Sequence, residues 1–137
     1  MTRSMGKITL VRRVVQVCML GLFCLPPLLA GWGLAGLFAG GDGEVTICRL
    51  LGEKELNGKC GLYAQVTIQP GSSLGYHVHH NESETYYILS GEAEYNDNGT
   101  PRMVKAGDVT YPPAGCGHGL RPVGDQPVVF MALIIYD

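Results

Sequence analysis

Two histidines separated by one residue are the first feature of this sequence that could carry chemistry. His77 and His79 flank Val78. In a β-strand, residues two positions apart point to the same face, so both imidazoles would converge on one side of the strand. Two such nitrogens on a rigid strand supply half of a metal site.

A glutamate follows this pair at a spacing that requires a turn. Glu84 comes five residues after His79, and an odd offset cannot share one face of a straight strand. The intervening residues His80-Asn81-Glu82-Ser83 are suited to a turn. Glu84 is therefore expected to begin a returning strand and to face the two histidines. His80 is expected to be structural or exposed.

A third histidine, His118, follows the glycine-rich sequence Pro113-Ala114-Gly115-Cys116-Gly117. A tight turn there could deliver a strand across the fold from the first pair. With His77, His79 and Glu84, it makes a set of three neutral nitrogens and one carboxylate. This mixed set suits manganese, iron, nickel, copper or zinc better than calcium or magnesium. Four protein ligands would leave an octahedral metal two open positions, as a catalytic site requires.

Short strands separated by turn residues follow Gly43 along the chain. Residues 62–69 alternate between apolar and polar, which is the period of a half-buried strand. Asn98-Gly99 is a strong hairpin signal because both positions tolerate a positive φ, and the apolar run 128–136 is typical of a strand covered on both faces. Residues 52–57 offer one helical turn. Further strands are predicted at 85–89, 92–95, 102–105 and 109–111. Many short strands indicate an all-β barrel or sandwich.

Composition and charge exclude two classes of protein. Hydrophobic residues make up 46% of the chain and charged residues 16%, which excludes a disordered, solvated chain. The part before Asp42 holds four basic residues and no acid, and the remainder holds twelve acids and six bases. An acidic folded part is a poor match for phosphate backbones, so no nucleic-acid partner is expected.

A long uncharged stretch lies at the front of the chain. No residue from 14 to 41 is charged, and Arg12-Arg13 precedes the stretch. Residues 14–39 could therefore contact or cross a membrane, with the folded part outside. The pattern also fits a signal peptide cleaved near Ala30 or Ala39, or a misassigned start. The protein is expected to be membrane-anchored or exported if the segment is genuine, and otherwise cytoplasmic.

The five cysteines do not have the pattern of a disulfide framework. Their number is odd, and no pair has the C-x-x-C spacing. A Cys48–Cys60 bridge is an option only if the domain is exported to an oxidising compartment.

Two spaced motifs resemble those of the cupin family. The first cupin motif is matched by Gly71, His77-x-His79, Glu84 and Gly91, with five, four and six residues between them. The second is matched by Gly107, Pro113-x-Gly115 and His118, with five and two residues between them. Fifteen residues separate the motifs, a short link that resembles small bacterial single-domain cupins.

The resemblance implies a fold and a ligand set. The fold would be a cupin jelly-roll β-barrel of at least six antiparallel strands at 44–137, preceded by an apolar N-terminal segment at 1–43. One divalent transition metal (Mn, Fe, Ni, Cu or Zn) would bind inside through His77, His79, Glu84 and His118, and the protein would form a homodimer. Pro122 stands where the second motif commonly ends in Asn, a departure that concerns the following turn and not the metal ligands.

Three functions are compatible with these features, because cupins include oxalate decarboxylases, dioxygenases, isomerases, sugar-binding modules and storage proteins. The first is a metal-dependent oxidoreductase, decarboxylase or isomerase acting on a small oxygenated molecule. The second is a non-catalytic module for metal-dependent small-ligand binding or sensing. The third is an accessory protein tethered to a membrane through residues 14–39. Tyr86, Tyr111, Arg102 and Cys116 are expected to be structural rather than catalytic.

Overall fold

The structure, a computed structural model, describes residues 41–137. The apolar segment at 14–39, with the predicted anchor or signal peptide, lies outside this part of the chain. Among the described residues, no helix is both long and apolar enough to cross a bilayer.

Nine strands and one short helix form in residues 41–137, and the all-β prediction is confirmed. The strands are β1 Val45–Arg49, β2 Cys60–Ile68, β3 Leu74–Val78, β4 Glu82–Ser90, β5 Glu92–Asp97, β6 Thr100–Lys105, β7 Val109–Thr110, β8 Gly117–Pro122 and β9 Val128–Tyr136. Helix α1, Glu53–Leu56, occupies the predicted helical turn. Asn98 and Gly99 have φ values of 48° and 91° and join β5 to β6, so the predicted hairpin is also confirmed.

The strands form two antiparallel sheets, so the predicted jelly-roll β-barrel is not closed. One sheet has the order β1-β2-β9-β4-β7 and the other β3-β8-β5-β6. Within residues 41–137 no ladder of strand pairs joins the two sheets. The reason lies at the edges and corners: β7 has only two residues, and consecutive strands β4 and β5 belong to different sheets. The chain crosses from one sheet to the other at Gly91, between these strands.

The hydrophobic core lies between the two sheets. One sheet contributes Ala64, Val66, Ile68, Tyr86, Ile88, Val128, Phe130 and Ala132, and the other contributes Ala93, Tyr95, Val104 and Leu120. The outward face of β9 is only partly buried, and Ile135 and Tyr136 at its end are exposed. The prediction that both faces of this strand are covered is therefore wrong, because an antiparallel sheet needs only one apolar neighbour.

The register of β1 rules out the Cys48–Cys60 disulfide. Cys48 is opposite Gln65 in β2, five positions along that strand from Cys60. At about 3.3 Å per residue, the two Cα atoms are far beyond the span of roughly 7 Å that a disulfide can bridge. No bond joins these two cysteines.

Candidate metal centre

Strand pairing brings the four predicted ligands together between the two sheets. His77 in β3 is directly opposite His118 in β8. The chain then turns, with Asn81 at a φ of 59°, and returns as β4 in the other sheet, carrying Glu84. β3 ends at Val78, so His79 lies just beyond the strand, and not on it as was predicted. The predicted turn is confirmed, although β4 begins at Glu82, two residues earlier than expected.

The donor atoms of these four residues have the spacing of ligands around one ion. Glu84 Oε2 lies 3.0 Å from His118 Nε2, 3.2 Å from His79 Nε2 and 3.6 Å from His77 Nε2. His118 Nε2 lies 3.2 Å from each of the other two Nε2 atoms. Adjacent octahedral ligands placed ~2.1 Å from a metal are ~3.0 Å apart. The observed distances therefore fit a divalent transition metal.

Hydrogen bonds on the far side of each ring fix which nitrogen faces the centre. His77 Nδ1 contacts the Gly75 carbonyl at 2.9 Å, and His79 Nδ1 contacts Glu82 Oε1 at 2.7 Å. Since these oxygens can only accept, both Nδ1 atoms carry the proton, and both Nε2 lone pairs face inward. The same tautomer of His118 lets its Nδ1 donate to the Tyr95 hydroxyl at 3.1 Å. Three inward lone pairs beside a carboxylate make a cluster that could hold a cation.

The carboxylate of Glu84 is held in its charged form. Burial by itself raises its pKa, but the hydrogen bonds that His118 and His77 donate when they are protonated, together with the one from Tyr86, outweigh burial and lower the pKa to about 2. The Tyr86 hydroxyl donates to Glu84 Oε2 at 2.7 Å. A carboxylate that is ionised at neutral pH is the form that binds a metal.

The environments of two histidines shift their pKa values in opposite directions. Burial lowers the pKa of His118 and outweighs its hydrogen bond to Glu84. Burial also acts to lower the pKa of His77, but the hydrogen bonds to Glu84 and Gly75 and the negative charge of Glu84 raise it overall. Of these two histidines, His118 is therefore the one that burial favours in its neutral form, which is the form that binds a metal.

A cavity of about 340 Å³ opens beside the four donors. Among the described residues, its polar lining comes from His77, His79, Glu82 and Glu84. Its apolar lining is supplied by Ile47, Leu62, Val66, Leu74, Val78, Tyr86, Phe130, Ala132 and Ile134. A molecule in this cavity would reach the metal centre at one side and hydrocarbon walls elsewhere.

Three residues around the centre were missed by the sequence reasoning. Tyr86 was expected to be structural, yet its hydroxyl contacts both Glu84 and His118. It lies two residues after Glu84 on the same strand, so the same-face rule could have found it. Glu82 is expected from the sequence only to form the turn, and no sequence pattern indicates that Tyr95 contacts a ligand.

Other residues considered from the sequence are not part of the cluster of four ligands. Tyr111 is 63% exposed, and His80 is exposed, as expected. Arg102 forms an ion pair with Asp97 at 3.0 Å. Cys116 is a half-buried thiol in the turn before β8, and it does not line the cavity.

Replacing Tyr95 by Phe should weaken metal binding without unfolding the protein. The variant removes the group that orients His118 Nδ1, and lost outer hydrogen bonds of this type cost about 10- to 100-fold in metal affinity. Tyr87→Phe is the matched control, because Tyr87 is 49% exposed on the outer face of β4. Competition with a chromogenic chelator measures both variants. Equal affinities for the two would contradict the assigned role of Tyr95.

Fold and site together define a two-sheet, all-β protein with a cluster of three histidines and one glutamate between its sheets. The family model described as "Cupin domain" matches residues 64–136. The chain belongs to this family of cupins.

Relatives of known name extend the comparison. The oxalate-binding protein of Thermotoga maritima is 42% identical over 96 residues, which cover 70% of this chain and 79% of that protein. Oxalate decarboxylase OxdC of Bacillus subtilis is 37% identical over 79 residues, covering 54% of this chain but only 20% of that enzyme. The crystal structure of a predicted oxalate decarboxylase from Thermotoga maritima superposes with a TM-score of 0.71 at 40% identity, covering 73% of this chain and 87% of that one.

Proposed function

We propose that this protein binds one divalent transition metal (Mn, Fe, Ni, Cu or Zn) and is a metal-dependent enzyme acting on a small oxygenated substrate. The ligands are His77, His79, Glu84 and His118, and the reaction is decarboxylase- or dioxygenase-like. The observation that carries the proposal is the convergence of three Nε2 atoms and one carboxylate oxygen beside a cavity. When bound, such a metal polarises oxygen donors of a ligand and, if redox-active, supports reaction with dioxygen.

Residues of the chain itself supply binding and proton handling in this proposal. The cavity places a ligand against the donor cluster and surrounds the rest of it with apolar side chains that exclude water. Glu82 lines the cavity and accepts a hydrogen bond from His79, so its carboxylate is the candidate group for holding a proton near the ligand. Tyr86, which is fully buried, keeps Glu84 in place.

A non-catalytic, metal-dependent binding or sensing module is the second candidate. One observation favours it: apart from Glu82, the described cavity lining offers no acid or base beyond three of the four ligands (His77, His79 and Glu84) and the buried Tyr86. The relatives' names point both ways, since one is called an oxalate-binding protein and another an oxalate decarboxylase.

Turnover assays on the full chain separate the two candidates. Protein stripped of metal and reloaded with Mn(II) or Fe(II) is incubated in air with oxalate and with 2-oxo acids of about three to seven carbons. We expect metal-dependent release of carbon dioxide or uptake of dioxygen, and Glu82→Gln should slow it while His80→Ala should not. If a ligand bound only in the presence of metal and was not turned over, the proposal of an enzyme would be wrong and the binding module would be favoured. Absence of both binding and turnover would overturn both.

We also propose that the protein is a homodimer, as the family resemblance implies. Tyr87 and Val109 are paired across β4 and β7, and with Leu89 they leave large apolar side chains exposed on one sheet face. Such a face is suited to association. Sedimentation velocity on the full chain should give a dimer mass, and a monomer at micromolar concentration would contradict it. The membrane-anchored or exported location stays a prediction from residues 14–39.

A further inference from the structure

The charge around the cavity disfavours a second negative group on the ligand. Among residues 41–137, the cavity is lined by two carboxylates, Glu82 and Glu84, and by no lysine or arginine. A divalent metal would be balanced by these two charges. A ligand can bind the metal through one carboxylate and an adjacent oxygen, but a second carboxylate that is too far from the metal to bind it would lie beside Glu82 or against hydrocarbon without a cation.

One cationic side chain on a strand that lines the cavity is turned toward a different cavity. Arg49 lies two residues after Ile47 on β1, yet it lines a neighbouring space of about 170 Å³ that shares only Leu62 with the metal cavity. Its Nη1 approaches the Gly61 carbonyl at 3.5 Å. The guanidinium group therefore does not balance charge in the metal cavity.

The size and lining of the cavity favour a ligand with an apolar part. At no more than about 30 Å³ per non-hydrogen atom, the six atoms of oxalate would fill only about half of the 340 Å³. The rest is bounded by aliphatic side chains and by Phe130. Water in such a space finds few hydrogen-bond partners, so an apolar group would displace it favourably.

We infer that the ligand is a singly charged chelating acid with an apolar substituent, such as an aliphatic 2-oxo acid of five to seven carbons, rather than a dianion whose second carboxylate is remote from the metal, such as 2-oxoglutarate. The acid and the adjacent oxygen would bind the metal, and the aliphatic chain would lie along Leu62, Val66 and Phe130. This inference rests on the proposed metal site and assigns its substrate class.

Calorimetric titration of the full chain loaded with Mn(II) tests the inference with matched probes. The first is 5-methyl-2-oxohexanoate, and 2-oxoglutarate is its near-isostere with a carboxylate in place of the isopropyl group. We expect the first to bind at least about tenfold more tightly than 2-oxoglutarate or pyruvate. Metal content is measured after each titration, because oxalate can extract metal.

Two outcomes would overturn the inference in distinguishable ways. If 2-oxoglutarate or pyruvate bound as tightly as 5-methyl-2-oxohexanoate, but only with metal present, the substrate class would be wrong and the proposed function would stand. If the probes bound equally with and without metal, the proposed function itself would fail.

A variant of the apolar wall gives an independent measurement. Leu62 lines the cavity but contributes no donor to the cluster. Leu62→Ser should weaken binding of 5-methyl-2-oxohexanoate by about fivefold and leave oxalate binding within about twofold. Val123→Ser, at an exposed position after β8, is the control. An equal loss for both ligands in the Leu62 variant would overturn the inference.

Discussion

A His77→Ala/His118→Ala double variant of the full chain should purify with almost no bound transition metal, whereas the parent protein should hold about one ion per chain. The two residues face each other across β3 and β8, and their removal leaves His79 and Glu84 as a two-ligand site. Structural and catalytic transition-metal sites use at least three protein ligands, so retention should fall by much more than the 10- to 100-fold typical of outer partners. Elemental analysis by mass spectrometry measures the content.

The control for this variant is His80→Ala, which removes an exposed histidine from the same turn and should leave the metal content unchanged. Circular dichroism must show that the double variant remains folded, since His118 is fully buried. If a folded double variant kept its metal, or if the parent held none after each ion was added back, the four-residue site would be refuted.

The ligand cluster could be predicted from the sequence because short-range rules determine most of it. The two-residue period places His77 and His79 together, and the turn before Glu84 reverses the chain. Membership of His118 depended instead on the resemblance to spaced cupin motifs. Its position opposite His77 is a long-range strand pairing that no local pattern specifies.

The outer partners of the histidines were not predictable for the same physical reason. Tyr95 reaches His118 only through the β5–β8 register, in which Asp97 is opposite His118 and Tyr95 is opposite Leu120. Glu82 reaches His79 because β4 starts two residues before the expected position. Periodicity tells which residues share a face, but it fixes neither the register between distant strands nor the exact start of a strand.

Whether the predicted β-barrel closes could not be read from the sequence, because sheet membership is also a long-range property. Alternating apolar residues predict the strands in either a barrel or a pair of sheets. The difference lies at corners such as Gly91, where the chain leaves one sheet and enters the other. The residue type at such a corner does not show whether the strand that follows it belongs to the same sheet.

Replacing Gly91 by Ala should destabilise the protein far more than replacing Gly71, although both glycines belong to the first motif. Both have a positive φ, 82° and 78° respectively, so both variants carry a backbone cost of about 1–2 kcal/mol. A Cβ at Gly91 would also lie 2.4 Å from the Pro127 carbonyl oxygen and 3.0 Å from the Val128 Cα, whereas at Gly71 it meets nothing within 4 Å.

The clash at Gly91 involves backbone that cannot rotate away. Pro127 and Val128 form the corner where the chain enters β9, the strand that pairs with both β2 and β4. The clash could therefore be relieved only if this corner and the corner at Gly91 moved apart. We expect Gly91→Ala to lose about 3 kcal/mol or more of unfolding free energy and Gly71→Ala about 1 kcal/mol, measured by urea denaturation of metal-free protein. Similar losses for the two variants would mean that positive φ alone accounts for both glycines, and that the two corners are not in rigid contact.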